Sequence, residues 1–215
     1  MVEQRKSAID HLVVTAPSLA AGIRYVEESL GCRMHPGGQH PRMGTHNAVL
    51  KIGPRVYLEV IAIDPDAAPI HRARWFELDL PLPETRPRLA TWVMRTNCMH
   101  EIMASSEMNL GTIEEMSRGS LEWLITIAVD GRLLFRGLAP ALIQWKADTH
   151  PVEKLPESAV SLMRLEGHHP EARRVSHLLN QANFQGPVSM IDSAEVQPVP
   201  LVALMQTPRG IVAFS

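Results

Sequence analysis

Residues 8–31 read AIDHLVVTAPSLAAGIRYVEESLG, and within them a strand, a turn, a helix and a stop follow one another. Ala8–Ala16 is rich in β-branched residues, and alternation puts Ile9, His11, Val13 and Thr15 on one face of the expected strand. Pro17-Ser18 supplies an N-cap. Leu19, Ile23, Val26 and Leu30 then recur at helical spacing, and Gly31 offers the left-handed turn that ends a helix. Beyond it, Cys32–His40 is a short strand entering the loop PGGQHPRMG. Thr45–Ile52 and Arg55–Ile63 are two more strands joined at Gly53-Pro54. The unit is β-α-β-β-β.

The same order recurs eighty residues on. Leu89–Thr96 reads as a strand, Asn97 as a cap, and Met99, Ile102, Met103 and Leu110 as a helix closed by Gly111. Thr112–Arg118, Leu121–Val129 and Leu138–Lys146 follow as strands, and the proline-rich stretch 65–88 is the linker between units. A third pass runs from Ala159–Leu165 through a helix started by His169-Pro170 to Val188–Asp192, Leu201–Gln206 and Ile211–Phe214. Thr207-Pro208-Arg209-Gly210 predicts a hairpin between the last two. The fold class is therefore α+β: paired βαβββ modules at 8–64 and 89–147 within a domain 1–151, and a third βαβββ-like extension, 152–215, packed on it.

Composition narrows the function. The chain has 215 residues, 45% apolar, with 21 Lys and Arg against 23 Asp and Glu. It can bury a sizeable core and is not disordered as a whole. With a formal charge of −2 and no basic block, neither nucleic acid nor a membrane surface is an expected partner. Met1–Ser7 does not open a secretory signal, and Leu121–Leu134, broken by Glu122, Asp130 and Arg132, is too short to span a bilayer. Cys32 and Cys98 lack zinc spacing and read as reduced thiols, which places the chain in the cytoplasm. Ten histidines outnumber the four Phe and four Trp together, which directs attention to metals and protons. The G-x-G-x-x-G, Walker, H-E-x-x-H and G-x-S-x-G signatures do not occur, so dinucleotide, phosphoryl-transfer and hydrolase chemistry are unsupported.

Duplicated modules opening on IDHLVVTAPSLAAGIRYVEESLG, continuing PGGQHPRMGTHNAVLKIG and VYLEVIAID and closing on APALIQWKADTHP, resemble the vicinal oxygen chelate superfamily, and within it the glyoxalase-like domain proteins. The resemblance covers roughly residues 8–151. It implies that the modules curl into a cup-shaped mixed sheet whose four corners, on the first and last strand of each module, hold one divalent metal ion. Carried over, the corners are His11, Glu59, Thr91 and Gln144. The first two are good metal ligands; threonine is a poor one, and a glutamine stands where a carboxylate is usual. Without a metal, His11 and Glu59 form an imidazolium–carboxylate pair able to act as acid and base.

Around these, Asn47 rather than His46 is expected to face the cup, His40 to sit in a loop over its mouth, and His150 to reach its rim. His168-His169 precedes a helix and is expected to cap it, and His35, His71, His100 and His177 have no ligand-spaced partner. Three functions remain open. A lyase, isomerase or dioxygenase-like enzyme acts on a small vicinal-oxygen compound through a divalent metal at His11 and Glu59, with Glu59 and His11 as catalytic groups and His40, Asn47, Thr91, Gln144 and His150 against the substrate. A metal-free module sequesters a small organic ligand. An assembly component, such as a homodimer, pairs through the Leu201–Phe214 hairpin.

Overall fold

The computed structural model describes residues 6–80, 86–147, 150–197 and 199–215. The polar start 1–5 and linker residues 81–85 lie outside them. The first module comprises β1 (Ser7–Thr15), α1 (Leu19–Leu30), β2 (His35–His40), β3 (Thr45–Gly53) and β4 (Val56–Ile63). The second comprises β5 (Arg88–Thr96), α2 (Met99–Ser105), β6 (Thr112–Arg118), β7 (Leu121–Ile127) and β8 (Ala141–Trp145). Local chemistry sets α1: the Ser18 hydroxyl accepts from Ala21 N, and Gly31, at φ 65°, donates to Glu27 O at 2.9 Å.

α2 departs from expectation at both ends. Asn97 does not cap it; its Oδ1 accepts from Lys6 N at 2.8 Å, and Gln144 Oε1 accepts from Met99 N instead. The helix stops at Ser105, not Leu110, because the Ser106 hydroxyl bonds the backbone of Met108 and offers the chain a turn in place of a further helical bond.

Eight strands form one curled sheet in the order β2-β3-β4-β1-β5-β8-β7-β6. The order is palindromic: β1 pairs with β4 and β5 with β8, both in parallel, while β1 and β5 join the halves antiparallel. This is the duplicated arrangement that the sequence predicts. The concave face carries Val13, Ile61, Val93, Ile125 and Ile143. The convex face, with Leu12, Val14, Leu58, Val60 and Trp92, packs on α1 and α2.

The third unit is β9 (Ser161–His169), α3 (Ala172–Gln181), β10 (Val188–Asp192), β11 (Leu201–Thr207) and β12 (Gly210–Phe214). Its element order matches the modules, but its pairing is β10-β9-β11-β12, with β10 parallel to β9 and a β11–β12 hairpin. α3 begins at Ala172, after Pro170, and His169 Nδ1 accepts from Glu171 N at 3.0 Å in the turn before it. Val175, Leu178, Leu201 and Met205 join the apolar cluster of the convex face, and Ser7 Oγ donates to Ala182 O at 2.8 Å.

A 3₁₀ turn, Leu134–Gly137, supports β5 from the side: Gly137 O accepts from Thr91 Oγ1 and Leu138 O from Trp92 Nε1. Gly137 has φ 95°, and a Cβ there would lie 1.8 Å from Ala90 O, a backbone atom that cannot step aside. Gly137→Ala is expected to lower the unfolding free energy by more than about 3 kcal/mol in chemical denaturation.

Candidate functional site

Strict alternation fails at the start of β1. A bulge between Ile9 and His11, relative to β5, turns Ile9 onto the convex face and brings Asp10 beside His11. Ile9 is therefore not the concave-face neighbour of His11 that the sequence suggests. Asp10 is fully buried and takes three N–H donors: His11 Nδ1 at 2.7 Å, Trp145 Nε1 at 2.9 Å and His150 Nε2 at 3.0 Å. Burial alone would raise this carboxyl, but the bonds and charges of His11 and His150 hold it well below the ordinary carboxylate value. His150 Nδ1 accepts from Val152 N, so its proton sits on Nε2, toward Asp10.

With its Nδ1 proton given to Asp10, His11 turns Nε2 into the cup, 3.5 Å from Glu59 Oε2. Tyr57 stacks on the imidazole with centroids 4.5 Å apart. Burial first, then the charges of Asp10 and Glu59, raise the Tyr57 hydroxyl well above its ordinary value, so it stays protonated. Glu59, 6% exposed, accepts from Asn47 Nδ2 through its other oxygen. Asn47 Oδ1 in turn accepts from Gly38 N at 2.7 Å and Arg118 Nη1 at 3.4 Å. Gly37 is required here, since a Cβ would fall 2.0 Å from Asn47 Oδ1.

His40 belongs to β2 rather than to a loop, and Arg118 Nη1 reaches its Nε2 at 3.1 Å. Arg118 ends β6, so this contact draws together the two edge strands of the curled sheet. Arg42 adds a second tie, donating to Glu114 and to the backbone of Glu115. Trp75 and Phe76, from the stretch read as a linker, stack on each other and cover the opening. Phe76 and Glu77 take left-handed backbone angles there, and Glu77 carboxylate oxygens accept from Leu133 N and Arg88 Nη2. The cavity left inside is about 30 Å³, room for a water or two.

His11, Glu59, Asn47 and His40 thus line one cavity. Thr91 and Gln144 do not. Thr91 Oγ1 is consumed by Gly137 O, and Gln144 points to the start of α2. His150 lies behind Trp145 as a buried partner of Asp10. His46 faces away, toward Asp64 at 3.9 Å. Sequence reasoning passed over Asp10, Tyr57, Trp75, Phe76, Arg118 and Trp145. A charged residue inside an apolar strand was the available signal for Asp10; nothing local marks Arg118.

The donor set does not complete the metal site that the resemblance implies. His11 Nε2 and Glu59 Oε2 converge, but among the described residues no group of three His, Cys, Asp or Glu side chains does so. The second module lines the cavity with Arg118, Trp123, Ile125, Ile143 and Trp145, which offer no ligand atom.

Burial pushes the His40 imidazole down to about 4; Glu59 opposes this, while Arg118 and His11 add to it. The unfolded chain, with an ordinary histidine near ~6.5, then takes up this proton before the folded one does. His40 thus supports stability fully above pH ~6.5 and loses that support as the pH falls toward about 4. Denaturation at a series of pH values should show a decline of about 3 kcal/mol across this window that His40→Gln removes.

The architecture has known counterparts. A family model described as a glyoxalase-like domain matches residues 9–182. No curated protein matches the sequence significantly. A hypothetical protein from Staphylococcus aureus is similar in structure, with TM-score 0.58 and 16% identity over 97% of this chain and 84% of that one. Methylmalonyl-CoA epimerase from Mycobacterium tuberculosis is similar at TM-score 0.40 and 13% identity, over 64% of this chain and 85% of its own. At 16% identity the likeness to the Staphylococcus aureus protein concerns the fold alone. The chain belongs to the glyoxalase-like domain family and has the vicinal oxygen chelate fold.

Proposed function

We propose that this protein is an isomerase or lyase that moves a proton on a small vicinal-oxygen compound, with His11 and Glu59 as its acid–base pair. The observation that carries this reading is the buried line Asp10–His11–Glu59. Asp10 fixes the ring with Nδ1–H outward from the cup, so that Nε2 is the atom presented to a substrate. His11 Nε2 takes a proton from a carbon beside a carbonyl and returns it to the other carbon or oxygen of the resulting enolate; in between, the imidazolium is flanked by Asp10 and Glu59. Asn47 keeps Glu59 oriented. The Arg118 guanidinium, at the cavity wall, faces the oxygen on which negative charge develops. Trp75 and Phe76 must swing outward to admit a substrate, and on return they exclude water.

No step is assigned to a metal, because two protein donors make an incomplete set. Chelator treatment is expected to leave activity unchanged, and elemental analysis to find no stoichiometric divalent ion. One equivalent of metal held by the wild type and lost in His11→Ala would return the metal to the mechanism.

The decisive experiment is deuterium uptake from D₂O into small α-hydroxy- and α-ketocarbonyl compounds, followed by NMR. Wild-type protein is expected to catalyse exchange with at least one of them, and His11→Ala and Glu59→Gln to slow it about 10²–10⁴-fold. The aromatic cover favours one second reading, metal-free sequestration of a small ligand. Thermal stabilisation by a compound that shows no exchange would select it.

A further inference from the structure

A second concavity lies at the other end of the curled sheet, where β1 and β4 begin and β5 and β8 end. It measures about 430 Å³, far more than the cup and within the range of small-molecule sites. Three cations line it: Lys6, Arg55 and Arg95. Among the described residues, no carboxylate forms an ion pair with any of them. Trp145 divides the two cavities, lining both, and Asp10 sits behind its indole N–H with its oxygens already engaged. The rest of the wall is small or neutral: Ala8, Ala147, Asn183 and Gln185.

Arg95 is held in place through its backbone contacts. One of its terminal nitrogens donates both to Ile9 O and to Arg55 O. Burial lowers the Arg95 guanidinium from its ordinary value; Asp10 opposes this, and the like charge of Arg55 adds to it. Two guanidiniums that repel each other across a groove with no acidic side chain in its lining are stabilised together by an anion. A guanidinium fork matches a planar carboxylate, and Trp145, Ala8 and Ala147 are the apolar part of the same lining.

We infer that this groove is a binding site for a small organic carboxylate with a planar apolar body, distinct from the His11–Glu59 cup. Arg55 and Arg95 take the carboxylate, Lys6 adds charge at the rim, and Trp145 takes the apolar face. The site is built jointly by the duplicated modules and the segment after α3, which contributes Asn183 and Gln185.

Isothermal titration of the full chain with sodium benzoate, and with benzamide as the uncharged analogue, tests the inference. Benzoate is expected to bind one to one and to quench tryptophan fluorescence, with benzamide at least about tenfold weaker. Arg55→Gln and Lys6→Gln, at exposed positions that the fold does not depend on, are expected to weaken benzoate, Arg55→Gln by about tenfold or more. His11→Ala leaves this affinity unchanged. No benzoate binding, equal binding of benzamide, or undiminished binding in both groove variants overturns the inference. Loss of binding in His11→Ala alone overturns it too, because the ligand would then occupy the cup. Failure of the proton-transfer reading leaves these outcomes untouched, since Lys6, Arg55 and Arg95 take no part in it and Trp145, which lines both cavities, is unaltered in every variant.

Discussion

A carboxylate with no exposed surface cannot stay charged in a protein interior unless donors surround it. Asp10 meets that condition with three N–H groups drawn from three parts of the chain. His11 is its neighbour on β1, Trp145 ends the second module, and His150 begins the segment leading to the third unit. Removing any of these elements leaves a buried charge short of a partner. The same clamp sets the tautomer of His11, and with it the atom that the cup presents. Cohesion between the halves of the sheet and preparation of the site are one interaction here.

The duplication is exact in topology and unequal in chemistry. The first module supplies the polar wall, with His11, Tyr57, Glu59, Asn47 and His40. The second supplies Trp123, Ile125, Ile143 and Trp145, with Arg118 as the charged side chain. A four-cornered ligand set requires both halves to contribute donors, and the second half's corner residues, Thr91 and Gln144, are engaged by Gly137 O and Met99 N instead. The acid–base pair we propose requires only one half. Its apolar opposite wall lowers the local dielectric around the pair and strengthens each charge interaction there.

Much of the frame was legible from residue order. Ser18, the helical spacing from Leu19 to Leu30 and the positive φ of Gly31 act within a few residues of one another, so their consequences can be read locally. The Glu59 face of β4 was legible for the same reason, since that strand alternates without interruption beside β3 at that point. The bulge at Asp10 was not, because it arises from the register of β1 against β5, some eighty residues away. Trp75 and Phe76 looked like linker because their partners, around Gly131 and Leu133, are distant in the chain. Gln144 looked like a corner of the cup, yet the shortened α2 needed an acceptor at its first N–H, and Gln144 was in reach.

The sequence by itself determined the α+β class, the two successive βαβββ modules and the carriers of the helix caps, because each of these follows from local hydrophobic period and backbone preference. Tertiary structure alone decided that Asp10 joins His11, that Arg118 closes the cup from the far edge, and that the third unit pairs its strands differently from the modules it imitates. Those outcomes depend on which strands meet and in what register. Register is set by burying whole faces at once, a property of the assembled sheet that no single segment carries.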